Sequence, residues 1–283
     1  MSSVGLVLGA VLSVQCGAAA ATTLFDQVGP AGTVLLRVLL AAVVLMAVWR
    51  PRLRSLRRRA REDLILVAGF GVTLAGMNLS FYEALDRIPL GIAVTLEFVG
   101  PLTVALLGSR RRLDIAWALL AAGGIVLLSP APGGSINALG MGLALLAGSF
   151  WAAYILLSAR IGQAFTGGGG LAAAMVVGSL VLLPVGIAAG GEDLLDLGVL
   201  AVGLAVAVLS SAIPYSLELE ALRRLPERTF GVLMSLEPAV AALVGLSLLG
   251  QDLAPREVVA ICLVIVASAG ALGTAAGTPP VEA

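Results

Sequence analysis

The chain has 283 residues, 59% hydrophobic and only 12% charged, with 17 basic residues matched by 17 acidic ones and a mean hydropathy of +1.06. A soluble domain is about a quarter charged, so this composition excludes an ordinary water-facing surface and points to an integral membrane protein. Histidine is absent and the two cysteines, Cys16 and Cys262, lie in apolar runs, so nothing argues for a metal site, a disulfide framework or a cofactor.

A spanning helix needs about 20 mostly apolar residues. The first such run is 4–22; MSSVGLVLGA lacks the basic segment of a cleaved leader, so it reads as a retained span. The second, 29–49, follows closely enough that the pair also reads as one hairpin. RPRLRSLRRRAR leads into the third span at 64–84, Pro89 introduces the fourth at 90–108, and a short fifth covers 114–129. The sixth is 138–159 and the seventh 171–189. Between them GGGG, 167–170, reads as a flexible connector and not a phosphate loop, because no GKS/T follows and no strand precedes it. The eighth, ninth and tenth spans are expected near 199–219, 229–249 and 256–273, and the tail TAAGTPPVEA (274–283) as a disordered segment.

The basic residues, all arginine, test this count. Loops on the cytoplasmic side carry the positive charge. Seven arginines fall between spans two and three, three between four and five, Arg160 after span six, and Arg223, Arg224 and Arg228 between eight and nine. The opposite loops hold only Arg87, Arg256 and the acidic GGEDLLDLG. Ten spans with both termini cytoplasmic account for that asymmetry.

The chain also repeats itself. EALDRIP (83–89) returns as EALRRLP (220–226), Gly5-Leu6-Val7-Leu8 faces Gly142-Leu143-Ala144-Leu145, and Pro101 faces Pro238, all at an offset of 137. Five spans per half is an odd number, so the second copy enters the membrane inverted. The expected fold is therefore an all-α integral membrane protein of ten transmembrane helices in two inverted five-helix repeats, 1–135 and 136–273. Inverted repeats are a recurring build for secondary transporters, with the site near the midplane between them.

GMNLSFYEALDRIPLGIAVTLEFVGPL (76–102) and LSSAIPYSLELEALRRLPERTFGVLMSLEPAVAAL (209–243) resemble the threonine/homoserine exporter family, an EamA-type branch of the drug/metabolite transporter superfamily. The likeness runs from the first spans to the last. It implies export of small amino acids or related metabolites across the plasma membrane, driven by the proton gradient, from a chain with both termini inside.

Charged and polar groups in the membrane core are costly, about 2.5–3.5 kcal/mol or more for a charge, and so mark candidates. Glu97, in LEFVGP, can bind a proton or a substrate amino group, or serve as a paired structural carboxylate. Glu237, in SLEP, is expected near the middle of span nine with the same roles. Pro101, Pro214 and Pro238 are helix-kink candidates, each able to free a carbonyl one turn back toward a cavity. Arg37 is read first as an ion-pair partner of a glutamate and second as a carboxylate ligand. Asn78 and Tyr82 share a helical face, and Trp151, Tyr154 and Tyr215 are candidate cavity walls. Gln15 is a further pore-lining candidate.

Other readings stay open at this stage: a different metabolite or a drug as cargo, or a facilitator that needs no proton. An intramembrane enzyme lacks a reactive constellation, and a scaffold has no use for carboxylates in the membrane core. Nucleic acid is not indicated as a partner, because topology and contact with anionic lipid explain the basic loop. The expected partners are a small-molecule substrate, protons and the bilayer. Oligomeric state is not legible.

Overall fold

The computed structural model of the chain describes residues 3–49, 61–107, 112–128, 137–165, 168–214, 217, 221 and 233–275; these form helices and short connections, with no strand among them. The α-helices are α1 (Ser3–Thr22), α2 (Phe25–Trp49), α3 (Arg61–Leu85), α4 (Leu90–Glu97), α5 (Val99–Leu107), α6 (Arg112–Leu128), α7 (Ala138–Ala164), α8 (Gly169–Gly190), α9 (Leu197–Ala207), α10 (Glu237–Leu249) and α11 (Pro255–Ala275). Among the described residues five helices are long and apolar enough to cross a bilayer by length and composition: Val4–Thr22, Phe25–Trp49, Arg61–Leu85, Ala138–Ser158 and Gly169–Leu195. Shorter apolar helices cover Leu90–Val104, Ile115–Leu127, Leu197–Ser211 and Glu237–Leu249. Large aliphatic side chains such as Val43, Leu119 and Leu243 are more than half exposed on the outer faces, as lipid-facing positions are and water-facing ones rarely are.

Three expected spans are not continuous. Span four divides at Phe98 into α4 and α5. Proline has no N–H, so Pro101 withdraws the donor that Glu97 C=O would take one turn on. Span nine has a turn at 235–236, and α10 starts afresh at Glu237. Glu237 is therefore the first residue of a half-helix and not the middle of a long one. Here Pro238 supplies no N–H and suits the first turn of a helix. In span eight α9 gives way to a π-turn, Val208–Ala212. Pro214 again explains it: the carbonyls one π-turn and one α-turn back, on Leu209 and Ser210, lose their donor. Ser13 of α1 replaces one of them, its hydroxyl donating to Leu209 C=O at 2.7 Å.

Smaller differences have local causes. Span two begins earlier than its apolar run, at Phe25, and is kinked where Gly29 adopts a left-handed φ of 67° ahead of Pro30. The glycine run is not wholly a connector: Gly168 caps α8, and Gly169 and Gly170 form its first turn. The last helix continues to Ala275. The rest of the tail, the basic loop at 50–60 and most of the second copy of the repeated phrase (220, 222–226) lie outside the described residues.

The spans pack in a recurring order. Span two lies along span seven, three along six and seven, five along ten, four along nine and six, and one along eight and nine. Gln251, in the connection after α10, accepts the N–H of Leu90 at 2.9 Å and so caps α4, whose preceding Pro89 has no side chain to do it.

Candidate functional site

The interrupted helices meet around a cavity of about 470 Å³, within the range of about 300–1,000 Å³ usual for small-molecule sites. Its walls come from both halves: Val14, Gln15 and Ala18 of α1, Arg37 of α2, Met77, Asn78 and Phe81 of α3, Glu97, Phe98 and Pro101 of span four, Trp151, Tyr154 and Ile155 of α7, Ser210 and Pro214 of span eight, and Met234 and Glu237 of span nine. Four pairs of these residues stand 137 apart: Val14 and Trp151, Ala18 and Ile155, Met77 and Pro214, Glu97 and Met234. In three of the pairs both members are apolar; in the fourth, ionisable Glu97 stands where the other has Met234.

Glu97 ends α4 at the break. It is held there by contact with α7: a Cβ built on Gly148 would lie 2.6 Å from Glu97 C=O. Gly100 and Gly148 also face each other so closely that a Cβ on Gly100 would overlap the Gly148 carbonyl oxygen. Two glycines thus bring the backbones of spans four and six together. Phe98 then meets Trp151 edge to face, ring centroids 5.4 Å apart.

Glu237 is buried at the start of α10. Gln15 Nε2 donates to Glu237 Oε1 at 3.0 Å. A carboxylate only accepts, so the amide nitrogen faces it and the amide oxygen of Gln15 faces away, buried and without a hydrogen-bond partner. Arg37 lies within coulombic reach of Glu97, as does Glu237. One guanidinium and two carboxyl groups therefore share one small volume. Among the described residues the contacts of Arg37 are with Tyr82: Nη1 donates to Tyr82 Oη at 3.1 Å, and the guanidinium stands 5.4 Å from the ring centre. The guanidinium expected to pair with a glutamate thus has Tyr82 beside it and Glu97 within coulombic reach.

The expected site residues are thereby sorted. Asn78, Glu97, Trp151, Tyr154 and Glu237 line the cavity, as do Arg37, Pro101 and Pro214. Tyr82 does not. It is fully buried behind Arg37, against Phe25 and Phe81. Pro238 shapes α10 from outside the lining. Tyr215 lies outside the described residues. Asn78 donates its amide hydrogen to Leu74 C=O of its own helix, 2.8 Å away. Tyr154 stacks on Phe70 at 5.1 Å. Sequence reasoning passed over Phe98 and Ser210. The serine sits in an apolar run, and only the adjacent proline hinted that the helix there is disturbed.

The EamA-like transporter family model matches residues 138–273. The threonine/homoserine exporter RhtA of Salmonella typhimurium strain LT2 is 42% identical over 98% of this chain and 93% of its own length, and that of Escherichia coli strain K12 is 44% identical over 94% and 89%. This chain belongs to the EamA-like transporter family. It is a multi-pass membrane transporter and not an enzyme, and the resemblance seen in its two long phrases extends over nearly all of the chain. A protein solved by crystallography, 20% identical, superposes with a TM-score of 0.65 over 97% of this chain and 98% of its own, which shows a shared fold.

Proposed function

We propose that this transporter exports threonine, homoserine and similar small amino acids across the plasma membrane in exchange for protons. The observation that carries the substrate is the 42–44% identity to exporters so named, along nearly the full length. The cavity supplies a chemistry for it. Arg37 takes the α-carboxylate, for which a guanidinium is geometrically suited. Glu237, the free amide oxygen of Gln15 and Glu97 take the ammonium. A carboxyl group in the membrane core is costly when charged and unpaired, so Glu97 and Glu237 are the groups that exchange a bound substrate for a proton.

Alternating access follows from two inverted five-helix halves, residues 1–135 and 136–273, with both termini cytoplasmic. Three features support that build. The helix breaks in spans four and nine fall at Phe98 and Ser235, 137 apart. Four pairs of cavity residues keep the same offset. Exchanging the halves also turns the packing order of the spans into itself: two with seven, four with nine and five with ten are kept, and three with six becomes eight with one.

The test is efflux of labelled threonine and homoserine from cells expressing the chain, against empty vector and Glu97→Gln, with and without a protonophore. Efflux that exceeds vector, needs Glu97 and collapses with the gradient supports the full reading. Good membrane expression with no efflux of either compound retires the substrate. Efflux indifferent to the protonophore retires the coupling.

A further inference from the structure

Ser210 sits in the π-turn of span eight and is one of the residues lining the cavity; its hydroxyl is buried, against α1, and has no hydrogen-bond partner. A helical serine ordinarily turns its hydroxyl back to the carbonyl one turn earlier. Ser149, Ser179 and Ser247 do so here, at 3.0, 2.8 and 2.7 Å. Ser210 does not, and α1 makes room for it: a Cβ on Gly17 would overlap Ser210 Oγ. Ser268 is also buried and unpartnered, but it lies outside the cavity lining. A π-turn is the kind of local distortion that recurs at functional sites.

We propose that Ser210 is the specificity-determining residue that reads the hydroxyl of the substrate. This rests on the amino-acid export reading above. Arg37 can only donate, and ionised Glu97 and Glu237 can only accept; these groups suit the two charged ends of an amino acid. Of the neutral groups, Asn78 and Gln15 are each anchored by one amide hydrogen, to Leu74 and Glu237, and keep further capacity, whereas the Ser210 hydroxyl makes no bond at all. Ser210 keeps one donor and one acceptor uncommitted, and a substrate hydroxyl is likewise both. The substrate class is then the small hydroxylated amino acids. Threonine and homoserine carry the hydroxyl on different carbons, yet both become 2-aminobutyrate when it is removed. With 2-aminobutyrate bound, Ser210 Oγ stays buried and unpaired, which is the situation that lets a polar site reject an analogue lacking the group.

The experiment reconstitutes the full chain in proteoliposomes and measures labelled-threonine counterflow against unlabelled threonine, homoserine and 2-aminobutyrate. The wild-type chain is expected to prefer threonine over 2-aminobutyrate by at least about tenfold, the worth of one buried hydrogen bond whose loss leaves a group unpaired. Ser210→Ala is expected to lower that ratio by about tenfold while 2-aminobutyrate competes as before, a split that general damage to the fold would not produce. An unchanged ratio in Ser210→Ala overturns the inference. If the alanine variant fails to reach the membrane, Ser210→Cys, similar in size but a weak donor, decides by the same ratio. Wild-type transport of threonine with no preference over 2-aminobutyrate also overturns it and leaves the export reading standing. Failure of the wild type to move threonine at all removes both.

Discussion

Gly148→Ala tests how the site is positioned without touching a polar group. The added methyl would lie 2.6 Å from Glu97 C=O, 3.2 Å from its carbonyl carbon and 3.3 Å from its Cα. These are backbone atoms, so no side chain can swing aside. Reaching the 3.4 Å of ordinary contact requires spans four and six to part by about 0.8 Å at that point. Overpacking of this kind costs about 1–3 kcal/mol, partly offset by about 1 kcal/mol because alanine is the better helix former. The net effect on folding is therefore small. The effect on function is larger, since the displaced group is Glu97, and a shift of about 1 Å at a reacting or binding centre can cost about 100-fold. Threonine efflux from cells should fall between about tenfold and 100-fold, with membrane abundance near wild type by immunoblot. Gly142→Ala is the control: it lies on the same helix, with nothing within 4 Å of its added methyl, and should transport normally. Wild-type efflux by Gly148→Ala at wild-type abundance would refute the claim that the glycine contact sets the place of Glu97.

Glu237→Gln keeps an acceptor for Gln15 Nε2 but removes the charge, so efflux should drop about tenfold to 100-fold, the worth of a charge-assisted hydrogen bond; an unaffected rate would remove Glu237 from the site. Tyr82→Phe keeps the ring beside Arg37 and deletes the hydroxyl, so KM for threonine should rise about fivefold with little change in maximal rate; a change confined to maximal rate would speak against Arg37 as the carboxylate ligand. Ser13→Ala leaves the part-buried Leu209 C=O without its 2.7 Å donor, a loss of about 1 kcal/mol. It should lower the melting midpoint of the detergent-solubilised protein, and an unchanged midpoint would show that the π-turn does not need this bond.

Much of the site was legible because a membrane penalises polar residues. Glu97, Glu237, Arg37 and Asn78 stood out against an apolar background, and all four line one cavity. Tyr82 misled because helical spacing says which residues share a face but not where that face turns from cavity to protein interior. Ser210 went unread because a serine among apolar residues usually satisfies itself on its own helix. Whether it does depends on the π-turn and on the space at Gly17 across the interface.

The sequence by itself determined that the chain lies in a membrane, where its apolar runs begin and end, and that short phrases recur 137 residues apart. These properties follow from local composition and spacing, which the bilayer reads directly. Tertiary structure alone decided where three spans break, that Glu237 opens a half-helix, and that Tyr82 supports Arg37 from behind the cavity. A proline removes an N–H wherever it stands. What takes up the freed carbonyl, a hydroxyl from another helix or a displaced turn, depends on residues nearly 200 positions away, brought close only by packing.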